Sequence, residues 1–183
     1  MRATASWCRS VLEGVVVTTR CCLRVRRFTH AVVRSSTGCP LIVVAQEVRV
    51  SYAKQMLDTY PRSFNVDAGV LAGTMDALSD CAQACTACAD DCLSEQNVQA
   101  LAKCIRLDLD CADVCTATLR VASRQTEYDA NVTRPLLEAC VAVCRSCGDE
   151  CERHAGMHEH CRVCAEACRR CQQACERLLA AMR

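Results

Sequence analysis

CAQACTACADDC, residues Cys81 to Cys92, decides the fold: its four cysteines, Cys81, Cys85, Cys88 and Cys92, are separated by gaps of four, three and four. At about 3.6 residues per helical turn, those gaps keep every thiol on one face of a helix. The same gaps return in CVAVCRSCGDEC at Cys140, Cys144, Cys147 and Cys151. CRVCAEACRRCQQAC extends the pattern through Cys161, Cys164, Cys168, Cys171 and Cys175. A fourth stretch holds Cys104, Cys111 and Cys115 in the same frame, with Asp108 in the remaining slot. This is the face on which a helical bundle ordinarily carries leucine.

The stripes predict four long helices over about 66–94, 97–124, 130–154 and 158–182. Asn65 or Asp67 can cap the first, Ser94 or Asn97 the second, and Asp129 or Asn131 the third, each offering an oxygen to free backbone N–H groups. The breaks between them are short, and short connections make consecutive long helices antiparallel neighbours. The expected fold is all-α: an antiparallel up-down-up-down four-helix bundle over 51–183, preceded by a short amphipathic helix from Ser51 to Tyr60 that Pro61 stops.

Residues 1–50 read differently. They contain arginine but no lysine, scattered Cys8, Cys21, Cys22 and Cys39, and no persistent helical or strand period. Arg26-Arg27-Phe28 faintly matches a twin-arginine signal and Gly38-Cys39 a lipoprotein site, but Arg34 breaks the apolar stretch and Pro40 follows the cysteine directly. An Arg-rich, acid-poor start also fits an organelle transit peptide. The preferred expectation is an extension, disordered or lying upstream of a true start near Val48 or Val50.

Composition narrows the function. A chain of 183 residues with aromatics at only 3% lacks the usual large core fillers, while its 20 cysteines are abundant. Lysine plus arginine (22) nearly balance aspartate plus glutamate (21), which gives no electrostatic reason to expect nucleic acid or an anionic membrane as partner. No run reaches the roughly 20 apolar residues that cross a bilayer.

Three readings of the stripes compete. Cysteine can serve as a small hydrophobe, but a core of facing thiols is expected to be underpacked unless something fills it. Disulfides between cysteines one turn apart would close loops of a few residues and restrain little. Metal ions are the remaining filling. Thiolates favour Cu(I), Zn(II) or iron–sulfur clusters. Zinc takes four ligands, and each all-thiolate site buries two negative charges. Cu(I) is content with two thiolates, and bridging sulfurs bring the array close to neutrality, so Cu(I) ranks first, with multiple ions per chain. Zinc or general thiol-metal buffering ranks second and an iron–sulfur redox protein third, since the ferredoxin run and its proline are absent. Asp108 is either a solvated edge residue or an oxygen ligand one turn from Cys104.

The stripes also have two unlike ends. Leu71, Met75, Leu78, Leu119, Leu136, Leu137, Leu178, Leu179 and Met182 are expected to meet at one end as an apolar plug. At the other, Cys92, Cys104, Cys151 and Cys161 gather beside the turn with His154, His158 and His160, read as a metal entrance. Met157 in that turn is a weaker candidate.

On its three cysteine frames and the YAKQML…TYP lead-in, the sequence over roughly 51–183 resembles the bacterial copper storage proteins, specifically the cytosolic branch. The resemblance implies a non-enzymatic, cytoplasmic store in which core thiolates hold Cu(I), a histidine-containing mouth, and a homotetramer. It carries the core-ligand role to the sixteen striped cysteines and the mouth role to His154, His158 and His160, with Asp108 as an addition. Residues 1–50 have no counterpart in it.

Overall fold

A computed structural model describes residues 9–12, 15–18, 31–34, 40–43 and 51–182, and the chain divides into two compact units, Met1–Arg49 and Val50–Arg183. In the first unit β1 (Arg9–Leu12) pairs antiparallel with β2 (Val15–Thr18), and β3 (Ala31–Arg34) with β4 (Pro40–Val43). Strand period was not legible there because each strand has only 4 residues. The β-branched content of Val15–Val17 was the available signal for extended backbone. Cys8, Cys21, Cys22 and Cys39, the twin-arginine match and the alternative start positions lie outside the described residues.

Among its described residues, the regular elements of the second unit are all helices. α1 (Tyr52–Asp58) is followed by α2 (Ala68–Leu93), α3 (Val98–Ala122), α4 (Ala130–His154) and α5 (Glu159–Ala181). Ser51 caps α1 by accepting from Lys54 N at 3.2 Å, Asp67 caps α2 by accepting from Val70 N at 2.8 Å, and Asp129 caps α4 by accepting from Asn131 N at 2.8 Å. Asn97 stands at the N-cap of α3 without a side-chain bond. Pro135 lies within α4, and the helix continues through it.

α2 packs on α3 and α5, and α4 on the same two helices, so the four form a closed ring. Facing pairs show the directions. Between α2 and α5, Thr74 meets Ala174, Cys81 meets Cys168 and Cys88 meets Cys161, each advance on one helix matched by a retreat on the other. Cys115–Cys140, Cys111–Cys144 and Cys104–Cys151 show the same antiparallel order for α3 and α4. Across the diagonal, Cys81–Cys144 and Cys85–Cys147 advance together, so α2 and α4 are parallel.

Leu71, Met75, Leu78, Leu137 and Leu178 are buried at the far end as the plug requires, while Leu119, Leu136, Leu179 and Met182 are only half-buried. The plug also holds residues that hydrophobic pattern does not announce. Thr74, Thr118 and Thr133 are buried there, each turning its hydroxyl back to a carbonyl of its own helix, at Val70, Val114 and Asp129. That back-bonding satisfies a polar group in an apolar layer. Leu57 of α1 is buried, and a cavity of about 50 Å³ is lined at this end by Phe64, Leu71, Tyr128, Leu178 and Met182, among others.

Candidate metal centre

All sixteen described cysteines are buried free thiols. On α5 the stripe runs from Cys161 to Cys175, which makes the column about 21 Å long at about 1.5 Å of rise per residue. Neighbouring sulfurs along and across the column stand close: Cys147–Cys168 at 3.5 Å, Cys85–Cys164 and Cys115–Cys140 at 3.6 Å, Cys111–Cys144 at 3.7 Å. These are van der Waals distances, far beyond a disulfide bond of about 2.05 Å. The expectation of an underpacked thiol core is thus corrected: the helices draw in until sulfur meets sulfur, even across the diagonal from Cys115 to Cys171 at 3.9 Å.

The same spacing suits metal. A metal–sulfur bond of about 2.3 Å puts two sulfurs about 4.0 Å apart around a trigonal ion and about 3.8 Å apart around a tetrahedral one. Ligand groups within the column overlap: Cys81 and Cys85 meet Cys111 and Cys168; Cys81 also meets Cys115, Cys144 and Cys171; Cys85 also meets Cys147, Cys164 and Cys168. Overlap means shared ligands. A set of separate four-cysteine zinc sites would need each thiolate to itself, whereas bridging thiolates are what a Cu(I)–thiolate cluster uses.

Asp108 is in the column and not at a solvated edge: it is fully buried. Its Oδ1 accepts from Cys147 at 2.9 Å and from Cys151 and Cys164 at 3.3 Å, and its Oδ2 lies 3.8 Å from Cys104. Burial, then the nearby charge of Cys164, pushes its carboxyl up to about 8. Burial likewise pushes the Cys92 thiol up to about 12, helped by the charge of Cys104. The hydrogen bond to Cys111, those to its other thiol neighbours and burial push Cys85 up as well. Metal binding must therefore displace protons from such groups.

The histidine end of the bundle is built from the turns between α2 and α3 and between α4 and α5. Nδ1 of His160 stands 3.4 Å from Cys88, 3.9 Å from Cys92 and 3.5 Å from Cys161. His158 occupies the N-cap of α5 but makes no cap bond; its Nδ1 faces Oε1 of Glu95 at 2.9 Å instead. The same Glu95 oxygen is 3.4 Å from Nε2 of His160. The bond to His158 holds the Glu95 carboxyl below the usual range. His154 Nε2 lies 3.5 Å from Oε1 of Glu150, which is buried while pairing with Lys103 and Arg153 at 2.7 Å. Of the three histidines, His160 reaches the thiols, and Met157 is exposed.

The sequence profile of the copper storage protein family matches residues 69–180. The chain belongs to this family. A solved structure of the copper storage protein Ccsp from Streptomyces lividans, loaded with 10 copper equivalents, is 63% identical, covers 70% of this chain and 98% of its own, and superposes with a TM-score of 0.69. A second structure, of a cytosolic copper storage protein from Streptomyces lividans with five coppers, is 68% identical over 61% of this chain and 93% of its own, at a TM-score of 0.61. The cysteine-rich protein YhjQ of Bacillus subtilis (strain 168) is 40% identical over 93 residues, 51% of this chain and 81% of its length.

Cysteine spacing encodes the column but not the positions of Glu95 and Glu150. Glu150 had a usable signal, since it precedes His154 by one helical turn. Glu95 had none, because it lies 63 residues from His158.

Proposed function

We propose that this chain is a cytoplasmic Cu(I) store, in which the sixteen thiols from Cys81 to Cys175 and the carboxylate of Asp108 hold many copper ions as one thiolate-bridged array. The observation that carries this reading is the overlap of the buried ligand groups, in which a thiol such as Cys81 or Cys85 belongs to more than one. Bridging keeps the ratio of thiolate to Cu(I) near one, so that many buried charges cancel. The family membership and the copper-loaded relatives support it. The role is storage and not catalysis.

His160 receives Cu(I) at the mouth and passes it to Cys88, Cys92 and Cys161, with His154 and His158 flanking the entrance. The leucine and threonine plug closes the other end, so traffic runs through one opening. The protein assembles as a homotetramer, which light scattering on the purified protein checks directly. Cys8, Cys21, Cys22 and Cys39 are not storage ligands.

Alkylation tests the ligand set. Reduced protein is loaded with Cu(I) without oxygen, treated with a thiol reagent under denaturing and native conditions, and mapped by mass spectrometry. The sixteen column cysteines should be protected by copper under native conditions and the four N-terminal cysteines modified. Modification of column thiols at the same rate with and without copper would contradict the proposal.

A further inference from the structure

The mouth tetrad differs in chemistry from the column beneath it. The Sγ atoms of Cys88, Cys92 and Cys161 and the Nδ1 of His160 lie within 4.8 Å of one another. Three nitrogen–sulfur distances are 3.4, 3.9 and 3.5 Å, and Cys88 Sγ is 4.0 Å from Cys161 Sγ. Around tetrahedral zinc, with Zn–S bonds of about 2.3 Å and a Zn–N bond of about 2.0 Å, sulfur stands about 3.5 Å from nitrogen and about 3.8 Å from sulfur. These four edges match that tetrahedron.

The surroundings of His160 match as well. Its Nε2 is buried without a hydrogen-bond partner, and the nearest carboxylate oxygen, Oε1 of Glu95, stands 3.4 Å away. A zinc-bound imidazole characteristically directs its other N–H to a carboxylate, which fixes the ring and the tautomer. A small rotation of Glu95 completes that bond while Nδ1 keeps its lone pair toward the thiols.

We infer that Cys88, Cys92, Cys161 and His160 form a tetrahedral Zn(II) site at the mouth of the bundle, oriented by Glu95. Three thiolates and a neutral imidazole leave a single net negative charge on the zinc complex, half that of an all-cysteine site deeper in the column. Zn(II) displaces the thiol protons that remain on the three cysteines, and no electron is transferred. Cys88 and Cys92 also face Cys104 and Asp108, so zinc at the mouth holds two thiols that incoming copper needs.

The inference concerns a second metal and is tested without copper. Reduced full-length protein is titrated anaerobically with Zn(II) against a chromophoric chelator, and with Co(II) as a spectroscopic substitute. One tight Zn(II) per chain is expected, and the first Co(II) should show the intense visible bands of a tetrahedral thiolate site. Glu95→Gln should weaken Zn(II) about 10–100-fold with the stoichiometry unchanged. His160→Ala should remove the tetrahedral Co(II) bands, whereas Cys175→Ser should leave them in place. Absence of a tight equivalent, several equivalents filling together, or wild-type zinc affinity in Glu95→Gln would each overturn the site. If His160→Ala loses its helical circular dichroism, Glu95→Gln, altered in the half-buried turn after α2, decides alone. A protein that rejects zinc yet fills with Cu(I) overturns this inference and leaves storage standing.

Discussion

The thiol of Cys147 donates to Oδ1 of Asp108 at 2.9 Å, joining a buried carboxylate to the sulfur network of the column. That carboxylate is fully buried, and its pKa is pushed up to about 8 by burial first and by Cys164 second. Between the ordinary carboxylate value near 4 and about 8, the folded state therefore binds this proton while the unfolded state has released it.

The sign of the pH effect follows. Stability rises with pH only where the unfolded state binds more protons, so Asp108 makes the metal-free protein less stable as pH climbs from about 5 to about 8. The carboxyls held low, such as Glu150 beside Lys103, act below that window and with the opposite sign. Thermal unfolding of the reduced apo-protein should show a lower Tm at pH 8 than at pH 5.5. Asp108→Asn should flatten that difference and raise the Tm at pH 8. An unchanged slope in the variant would remove Asp108 as its source.

Shared thiols predict unequal losses. Cys144 stands 3.7 to 3.9 Å from Cys81, Cys111, Cys115 and Cys140, whereas Cys175 closes the column beside Cys140 at 3.7 Å. Cys144→Ser should lower Cu(I) capacity by more than one ion per chain and Cys175→Ser by less, measured as copper retained after desalting. Equal losses would indicate separate sites.

The plug is ordinary hydrophobic core, and its cost of removal is correspondingly ordinary. Leu78 and Leu137 are fully buried. Leu78→Ala or Leu137→Ala should destabilise the apo-protein by about 2–5 kcal/mol in urea unfolding. The deficit should shrink when the column is loaded, because metal bound only to the folded state adds stability.

At the mouth, the combined replacement of His154, His158 and His160 by alanine should slow copper uptake several-fold while leaving the final capacity near wild type. Stopped-flow absorbance gives the rate and the end point together. Equal rates would place the entrance elsewhere.

Much of this molecule was readable in the spacing of one residue type. Gaps of three and four fixed both the helices and their inward face, and Asp67 and Asp129 marked two of the starts. The frame held Asp108 in a cysteine slot, but spacing alone could not separate a buried carboxylate from a solvated one, because that depends on the thiols of α4 and α5 closing over it. Glu95 was illegible for a related reason: its meeting with His158 and His160 joins two turns distant in sequence, and no local pattern encodes it. Thr74 and Thr118 were hidden because their hydroxyls are satisfied within their own helices, which lets a polar residue occupy an apolar layer.

The most direct test of the central claim is an anaerobic Cu(I) titration of the fully reduced protein, followed by thiolate-to-copper absorbance and by the copper retained. A bridged store predicts that absorbance grows until the bound copper is comparable in number to the sixteen column thiols. Saturation at one or two ions per chain would contradict it.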